Sequence, residues 1–208
     1  MLFQENTYCF FFFFQVNRIV WPCTYIFSKE RKDGKYVTLV NSDYGKGGEL
    51  FYQIAKRLSQ IQFLCAGLGA EIIPQNIEIN KKLKTLKNVT ILERTDNMAE
   101  IYEKTRLLLI PSLVDETFSM VALEAMSNGI PIIASPNGNL PFLIENGGIL
   151  LDTGNIDSWI DAIIYLITNK VSYNELSENA QKIALKYNPE EELNKFLSMI
   201  KTALGEVN

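Results

Sequence analysis

Hydrophobic segments of two kinds alternate along most of the chain. Short apolar runs rich in β-branched residues, typical of buried parallel strands, alternate with stretches whose apolar residues recur every three or four positions, as on one face of a helix. The predicted strands are 36–40, 61–66, 88–92, 106–111, 131–134 and 147–152. The predicted helices are 49–58, 77–86, 98–104, 117–128, 156–168, 173–186 and 189–204. This alternation predicts an α/β fold, a Rossmann-like doubly wound parallel sheet, with extra helices at the C-terminal end.

The stretch 109–134 is the most informative part of the chain. It predicts a buried strand, a polar loop, an apolar helix that ends at Asn128-Gly129, and a second strand. In a parallel sheet such a loop lies at the carboxyl edge of the strands, where ligands of open α/β sheets bind. Glu116 lies in that loop and Glu124 in the second turn of the helix. Since an ionised carboxylate among apolar residues is costly to bury without partners, we expect Glu124 to face a cleft.

These positions suit a nucleotide. Glu124 could accept hydrogen bonds from two vicinal hydroxyls, as a ribose offers, and Glu116 could reach a sugar beside the phosphate. The predicted helix start at residues 117–119 leaves backbone N–H groups unpaired and carries the positive end of the helix dipole, which suits a phosphate. The alternative is that both acids only stabilise the helix N-terminus, by about 0.3–1 kcal/mol each.

A glycine-rich loop follows the first predicted strand, at residues 41–48. It is not a Walker A loop, because Lys46 is followed by Gly47 and not by Ser or Thr. Glycines would let the backbone approach a ligand closely, and Lys46 would supply a point charge for phosphate. A solvated lysine in a flexible turn is the alternative. Gly67 and Gly69, after the second strand, lack the rest of the dinucleotide fingerprint and predict a tight turn.

The chain resembles a known family over about residue 16 to its C-terminus. Glu116, seven intervening residues and Glu124 are followed by Ala-Met-Ser-Asn-Gly-Ile-Pro-Ile-Ile-Ala. This combination is similar to the E-x7-E signature and its continuation in retaining GT-B glycosyltransferases, in particular the family 4 type. The resemblance implies that residues 16–208 form the C-terminal, nucleotide-sugar-binding half of a GT-B fold, with the N-terminal acceptor domain missing.

The resemblance also implies a role for each candidate residue. Lys46 matches the lysine that contacts the donor diphosphate. Glu124 would hold the ribose, and Glu116 the donor sugar, which makes Glu116 the candidate catalytic residue. The backbone of the loop after the third predicted strand would hold the nucleobase. The implied donor-binding residues are Lys46, Gly47, Arg94, Thr95, Thr117, Phe118, Ser119 and Glu124.

The sequence departs from the family pattern at two places. Many members carry Gly-Arg at the end of the first strand, whereas this chain has Asn41-Ser42, so one phosphate-binding cation is missing and Arg94 could compensate. The loop 135–141 is predicted to consist of turns throughout, and Phe142 follows it where a glutamate is common. These departures favour either a different donor subfamily or a chain without full activity.

Composition narrows the choice of partners. Apolar residues make up 47% and charged residues 21% of the 208 residues, as in a globular protein, and the net charge is -4. The lysines at 81, 82, 84 and 87 are predicted to be the solvated face of a helix, so nucleic acid is not an expected partner. The three cysteines lack metal-ligand spacing and favour a reducing cytoplasm. The chain has no histidine, and neither a cofactor nor a metal ion is expected beyond the nucleotide-sugar substrate.

Residues 1–15 differ from the rest and contain an aromatic run. They lack the features of a signal peptide and fall far below the roughly 20 apolar residues of a membrane span. The run is a strand, an apolar segment that packs on a partner, or an artefact of a truncated reading frame. We favour the last, because the resemblance begins only after it. Residues 19–27 predict a short extended segment similar to the family's link between domains.

Three functional hypotheses follow. The first is a glycosyltransferase, by the resemblance a retaining one, with a nucleotide-diphosphate sugar as donor. The second is a non-catalytic nucleotide-sugar-binding module, or a degenerate fragment, that needs a partner chain with an acceptor domain. The third is a Rossmann oxidoreductase, which the incomplete dinucleotide fingerprint disfavours.

Overall fold

The computed structural model of the protein describes residues 34–95, 97–187 and 189–204, so the segments predicted at residues 1–15 and 19–27 lie outside the described residues. The strands are β1 Tyr36–Val40, β2 Phe63–Ala66, β3 Val89–Leu92, β4 Thr105–Ile110, β5 Ile132–Ala134 and β6 Gly148–Leu150. The helices are α1 Gly48–Arg57, α2 Pro74–Lys84, α3 Met98–Lys104, α4 Met120–Ser127, α5 Leu140–Ile144, α6 Ile156–Thr168, α7 Lys170–Ala184 and α8 Pro189–Ala203. None of these helices is long and apolar enough to cross a membrane.

The sheet has the order β3-β2-β1-β4-β5-β6, and every neighbouring pair is parallel. The chain builds outward from β1 to β3, then returns to the centre and builds the other half from β4. This order confirms the predicted doubly wound sheet. It also places a topological switch point between β1 and β4, where ligands of such sheets bind outside the carboxyl ends of the strands.

Both faces of the sheet are buried. Leu107 and Leu109 of β4 point into a core shared with α1 and α6, whose largest member, Trp159, is fully buried. Leu108 and Ile110 point into a second core shared with α4, α5 and α7. Successive strand residues point to opposite faces, so a strand covered on both sides must be apolar throughout, as the sequence of β4 is.

Two predicted boundaries near the site are wrong. The helix predicted to start at residues 117–119 begins at Met120, because Ser119 is non-helical and its side chain accepts a hydrogen bond from the Ala122 N–H as an N-cap. The loop 135–141, predicted to be turns throughout, ends in α5, which begins at Leu140. Pro141 suits the first turn of a helix, and burial of Leu140 stabilises this short one.

Candidate functional site

Lys46 lies in a short 3-10 turn, Tyr44–Lys46, at the carboxyl end of β1. The Asp43 carboxylate accepts a hydrogen bond from the Gly45 N–H at 3.0 Å. Asn76 of α2 is fully buried, and it accepts from the Tyr44 N–H and donates to Asp43, both at 2.7 Å. Asn76 therefore ties the start of the turn to α2, and the Lys46 N–H donates to the Asp43 carbonyl at 2.9 Å.

The glycines after Lys46 are required by contacts inside the protein. Gly47 has φ +82°, and a Cβ there would overlap the carbonyl oxygen of Pro111. A Cβ on Gly48 would overlap the carbonyl oxygen of Ser42. The lack of side chains thus lets the Lys46 loop pack against the end of β4. The donor-binding role of Gly47 stays a prediction.

Lys46 and Glu116 meet across the switch point. The Lys46 Nζ donates to Glu116 Oε1 at 2.6 Å, with the lysine side chain 40% exposed and the glutamate side chain 10% exposed. The main chain of Glu116 is fixed by the loop after β5, because it bridges to Gly138 and accepts a hydrogen bond from the Asn139 N–H at 2.7 Å. A Cβ on Gly138 would overlap the Glu116 backbone. Two sequence candidates are thus brought together as an ion pair.

Glu124 has a tyrosine as its partner. The Tyr102 hydroxyl, on α3, donates to Glu124 Oε2 at 2.6 Å, and Tyr102 is only 2% exposed. Burial raises the pKa of Glu124, and the Tyr102 hydrogen bond partly offsets that rise. Burial, and then the Glu124 charge, raise the pKa of Tyr102, so its hydroxyl stays protonated as a donor. Sequence analysis missed Tyr102, whose position one helical turn after Met98 gives it the same helix face.

A cleft of about 330 Å³ opens at the carboxyl ends of β1 and β2. Its lining residues are Val40, Asn41, Ala66, Arg94, Thr95 and Met98. Arg94 and Thr95, predicted near a nucleobase, therefore line a cavity. Lys46, Glu116 and Glu124 are not among these lining residues. Met98 shares α3 with Tyr102, and the Asn41 side chain accepts a hydrogen bond from the Asp43 N–H, next to the Lys46 turn, at 3.2 Å.

Asn41 and Ser42 have different surroundings. Asn41, with φ +64°, lines the cleft as a neutral amide. Ser42 is fully buried, where its hydroxyl donates to Asn80 at 3.4 Å and accepts from the Gly69 N–H at 3.1 Å. Only the first of these positions could present a side chain to a ligand in the cleft. Among the described lining residues, Arg94 is the one cation, and it is exposed.

Of the three residues predicted to hold a phosphate at the α4 N-terminus, Ser119 is the N-cap, whereas Thr117 and Phe118 precede it, and their role in donor binding stays a prediction. The orphan amides of a helix begin at its N-cap, here Ser119, so the N–H groups of Thr117 and Phe118 precede them. The Ser119 hydroxyl caps the Ala122 N–H at 3.4 Å. Phe118 packs its ring edge-to-face on Tyr187 at 5.9 Å, and Thr117 is exposed. The amides of Ser119 to Val121 are therefore those that an anion would meet.

Phe142 lies on α5 and is 63% exposed, so an apolar ring stands where the resemblance implies a carboxylate.

Within the part of the chain that the structure describes, no three His, Cys, Asp or Glu side chains gather closely enough to hold a metal ion. A metal-free donor site stays a prediction.

Known proteins are similar to this chain in sequence or in fold. D-inositol 3-phosphate glycosyltransferase from Rhodococcus erythropolis is 31% identical over 112 residues, 52% of this chain and 25% of that enzyme. Sucrose-phosphate synthase from Thermosynechococcus elongatus superposes with a TM-score of 0.72 at 22% identity, over 83% of this chain and 46% of that one. Anabaena HepE, solved in complex with UDP and glucose, gives a TM-score of 0.72 at 18% identity, over 80% of this chain and 48% of that one.

The chain thus spans less than half of each of these relatives. The two solved structures confirm the predicted fold class, a Rossmann-like parallel sheet of the kind found in GT-B glycosyltransferases. The sequence profile of the family described as Glycosyl transferases group 1 matches residues 26–183, which is more than half of the chain. The chain therefore belongs to the Glycosyl transferases group 1 family.

Proposed function

We propose that this chain binds a nucleotide-diphosphate sugar and forms the donor half of a glycosyltransferase that retains the anomeric configuration. The observation that supports this most directly is the ion pair of Lys46 and Glu116, 2.6 Å apart at the switch point of the sheet. Lys46 can bind a diphosphate, and Glu116 can accept a hydrogen bond from a sugar hydroxyl. UDP is the first nucleotide to test, because HepE of Anabaena was solved with UDP and glucose.

The base and ribose would occupy the cleft. Its volume of about 330 Å³ lies at the lower end of the range for small-molecule sites. The backbone of the Arg94-Thr95 loop would contact the base. Because Tyr102 occupies Oε2 of Glu124, Oε1 is left to accept hydrogen bonds from the ribose hydroxyls.

The diphosphate would replace Glu116 as the partner of the Lys46 ammonium group. The lysine side chain is 40% exposed, so its ammonium can turn toward an incoming phosphate. Glu116, released from the ion pair, would then accept hydrogen bonds from the donor sugar. The amides of Ser119 to Val121 would add positive charge at the N-terminus of α4.

Transfer breaks the bond from the anomeric carbon to the diphosphate oxygen and forms one to an acceptor hydroxyl. The leaving diphosphate gains negative charge in the transition state, where one well-placed donor contributes about 2.7–4 kcal/mol. Lys46, at the end of a turn whose first residues are held by Asn76 of α2, supplies such a donor. The acceptor would be held by a second domain facing this cleft, on this polypeptide or on a partner chain.

Titration of the full chain with UDP and GDP tests the donor site. We expect Lys46→Ala and Glu124→Ala each to weaken binding by about tenfold or more, since each removes a hydrogen bond that involves a charged group. Lys82→Ala and Glu145→Ala are the matched controls, because they break ion pairs with Glu49 and Lys186. Equal losses in the site and control variants would contradict the proposal, as would tighter binding of NAD than of either nucleotide.

A second candidate function is nucleotide-sugar binding without transfer. It is favoured by Phe142, which places an exposed ring where a carboxylate is common, and by the neutral amide of Asn41 in the cleft. An assay with a UDP-sugar and a panel of acceptors separates the two functions, and the product's anomeric configuration, measured by NMR, tests retention. Donor binding with neither transfer nor hydrolysis would favour the binding module.

A further inference from the structure

The hydroxyl of Tyr102 makes an unusual contact for a buried tyrosine. The side chain is 2% exposed, and its hydroxyl donates to the carboxylate oxygen Oε2 of Glu124. Tyr173 shows the ordinary solution, in which a nearly buried tyrosine donates to a main-chain carbonyl, here that of Arg106 at 2.8 Å. Tyr102 thus has a partner that could itself bind a ligand.

The Tyr102–Glu124 contact is poorly explained by stability alone. A hydroxyl does not neutralise a half-buried carboxylate, and burial of the charge remains unfavourable. Replacing both partners of a buried hydrogen bond by apolar groups of similar shape is often close to neutral for folding. The arrangement is better explained by a need for a carboxylate in one fixed orientation.

The geometry points to Tyr102 as a positioning residue, whose hydroxyl holds Oε2 of Glu124 so that Oε1 meets the ribose diol of a bound nucleotide. This inference rests on the proposed function. Tyr102 lies on the same face of α3 as Met98, which lines the cleft. The helix α3 therefore supplies both a residue that lines the cleft, Met98, and the hydroxyl that contacts Glu124.

The position of α3 is itself fixed to the centre of the sheet. The Thr105 hydroxyl donates to the carbonyl of Ile101 at 2.7 Å and shares a hydrogen bond with the Thr38 hydroxyl of β1 at 2.8 Å. Ile101, Thr105 and Thr38 are fully buried. Tyr102 follows Ile101 directly, so its hydroxyl is presented from a rigid support.

The effect of Tyr102 should fall on the ribose hydroxyls and not on the rest of the nucleotide. We would measure dissociation constants of UDP, 2′-deoxy-UDP and 3′-deoxy-UDP by calorimetry for the wild type, Tyr102→Phe and Tyr173→Phe. The wild type should prefer UDP. Tyr102→Phe should weaken UDP binding about tenfold and weaken the binding of each deoxy nucleotide, which keeps one of the two hydroxyls, by a smaller factor. Tyr173→Phe, the matched buried control, should behave as the wild type.

Two outcomes would overturn the inference while the proposed function stands. In one, Tyr102→Phe keeps the wild-type preference for UDP. In the other, it weakens all three nucleotides equally, as a purely structural role would. If the wild type binds none of the nucleotides, the proposed function fails and this inference fails with it.

A double-mutant cycle keeps the test valid if Tyr102→Phe lowers the stability of the fold. Glu124→Gln removes the buried charge, so Tyr102→Phe with Glu124→Gln should fold even if the single variant does not. We expect Tyr102→Phe to change UDP affinity less than about twofold in the Glu124→Gln background, because the carboxylate that it orients is absent. The same tenfold loss in both backgrounds would overturn the inference.

Discussion

The carboxylate of Glu124 is half-buried and its partner is a neutral hydroxyl, so its charge opposes folding. Burial raises its pKa, which means that the folded chain holds this proton more readily than the unfolded chain. The stability of the fold therefore falls as pH rises through the interval between the unfolded and the raised pKa. We expect Glu124→Gln to melt at a higher temperature than the wild type at neutral pH, and to bind UDP about 10- to 100-fold more weakly.

The pH dependence provides the control for this prediction. Glu124→Gln cannot titrate, so its stability advantage should shrink as pH falls and the wild-type carboxyl becomes protonated. Chemical denaturation of both proteins between neutral and acidic pH measures this. An advantage that stays constant with pH would show that the buried charge is not its cause.

The ion pair at the switch point predicts opposite effects on binding and on transfer. Glu116→Gln removes a negative charge that competes with the diphosphate for Lys46. UDP affinity should rise by up to about fivefold, the range of a partly exposed ion pair. Sugar transfer should fall by about 100-fold or more, because the group proposed to hold the donor sugar is lost.

Asp115→Asn is the matched control for Glu116→Gln. Asp115 is the exposed neighbour of Glu116, so its variant removes the same charge without touching the ion pair. Titration with UDP and a single-turnover transfer assay measure the two effects. Weaker UDP binding by Glu116→Gln would contradict the idea that glutamate and diphosphate compete for one lysine.

At the scale of single residues, the sequence patterns identified candidate functional residues, but they did not predict which side chains contact one another. Glu116, Glu124 and Lys46 were recognisable because charged residues follow or interrupt apolar runs at the carboxyl ends of strands. The Tyr102 contact was not recognisable, because it joins two helices whose relative placement depends on the whole sheet. The ion pair joins residues 70 positions apart and escapes local pattern for the same reason.

At the scale of elements, the Lys46 turn depends on one buried amide of α2. Asn76→Ala would leave the Tyr44 N–H and the Asp43 carboxylate without their partner, at a cost of about 1–3 kcal/mol of unfolding free energy. UDP binding should weaken on the order of tenfold, because the lysine is then less well preorganised.

Asn88→Ala separates loss of stability from loss of the site. The Asn88 amide is also buried, and it donates to the carbonyls of Ala55, Leu58 and Ile61. Asn88→Ala should lower the free energy of unfolding by about as much as Asn76→Ala and leave UDP affinity unchanged. The idea that Asn76 positions the lysine fails if both variants bind UDP equally well. Denaturant unfolding and calorimetry provide the two measurements.

Element type was predictable along the described chain except at α5, whereas the boundaries beside the site were not. Apolar periodicity marks α4, yet its first residue depends on the Ser119 cap and on the bridge from Glu116 to Gly138, a tertiary contact. The short helix α5 was missed because Pro, Asn and Gly around it are typical of turns. Burial of Leu140 against the second core stabilises it, and that burial is set by the fold.

At the scale of the whole molecule, the alternation of strands and helices predicted the doubly wound sheet correctly. Parallel strands need crossovers, and crossovers of one hand leave few strand orders possible. The observed order places β1 and β4 side by side, which brings the Lys46 turn and the Glu116 loop to one edge. The cleft beside them could not be predicted, because residues from β1, β2, the loop after β3 and α3 line it.

A ligand held by both halves of the sheet should stabilise the whole chain. UDP at 100 times its dissociation constant should add about 2.7 kcal/mol to the free energy of unfolding. For a chain of this size, each kcal/mol raises the melting temperature by about 2–4 °C, so the expected shift is about 5–11 °C. Lys46→Ala, if its affinity is about tenfold weaker, should show about half that shift at the same UDP concentration, and Lys82→Ala should show the full one. NAD should shift the melting temperature of the wild type by less than about 1 °C at that concentration. We expect NAD to bind only weakly here, and a weakly bound ligand adds little to the free energy of unfolding. A larger shift with NAD than with UDP or GDP would favour a dinucleotide site and contradict the assignment of Lys46 and Glu124 to a nucleotide-sugar donor.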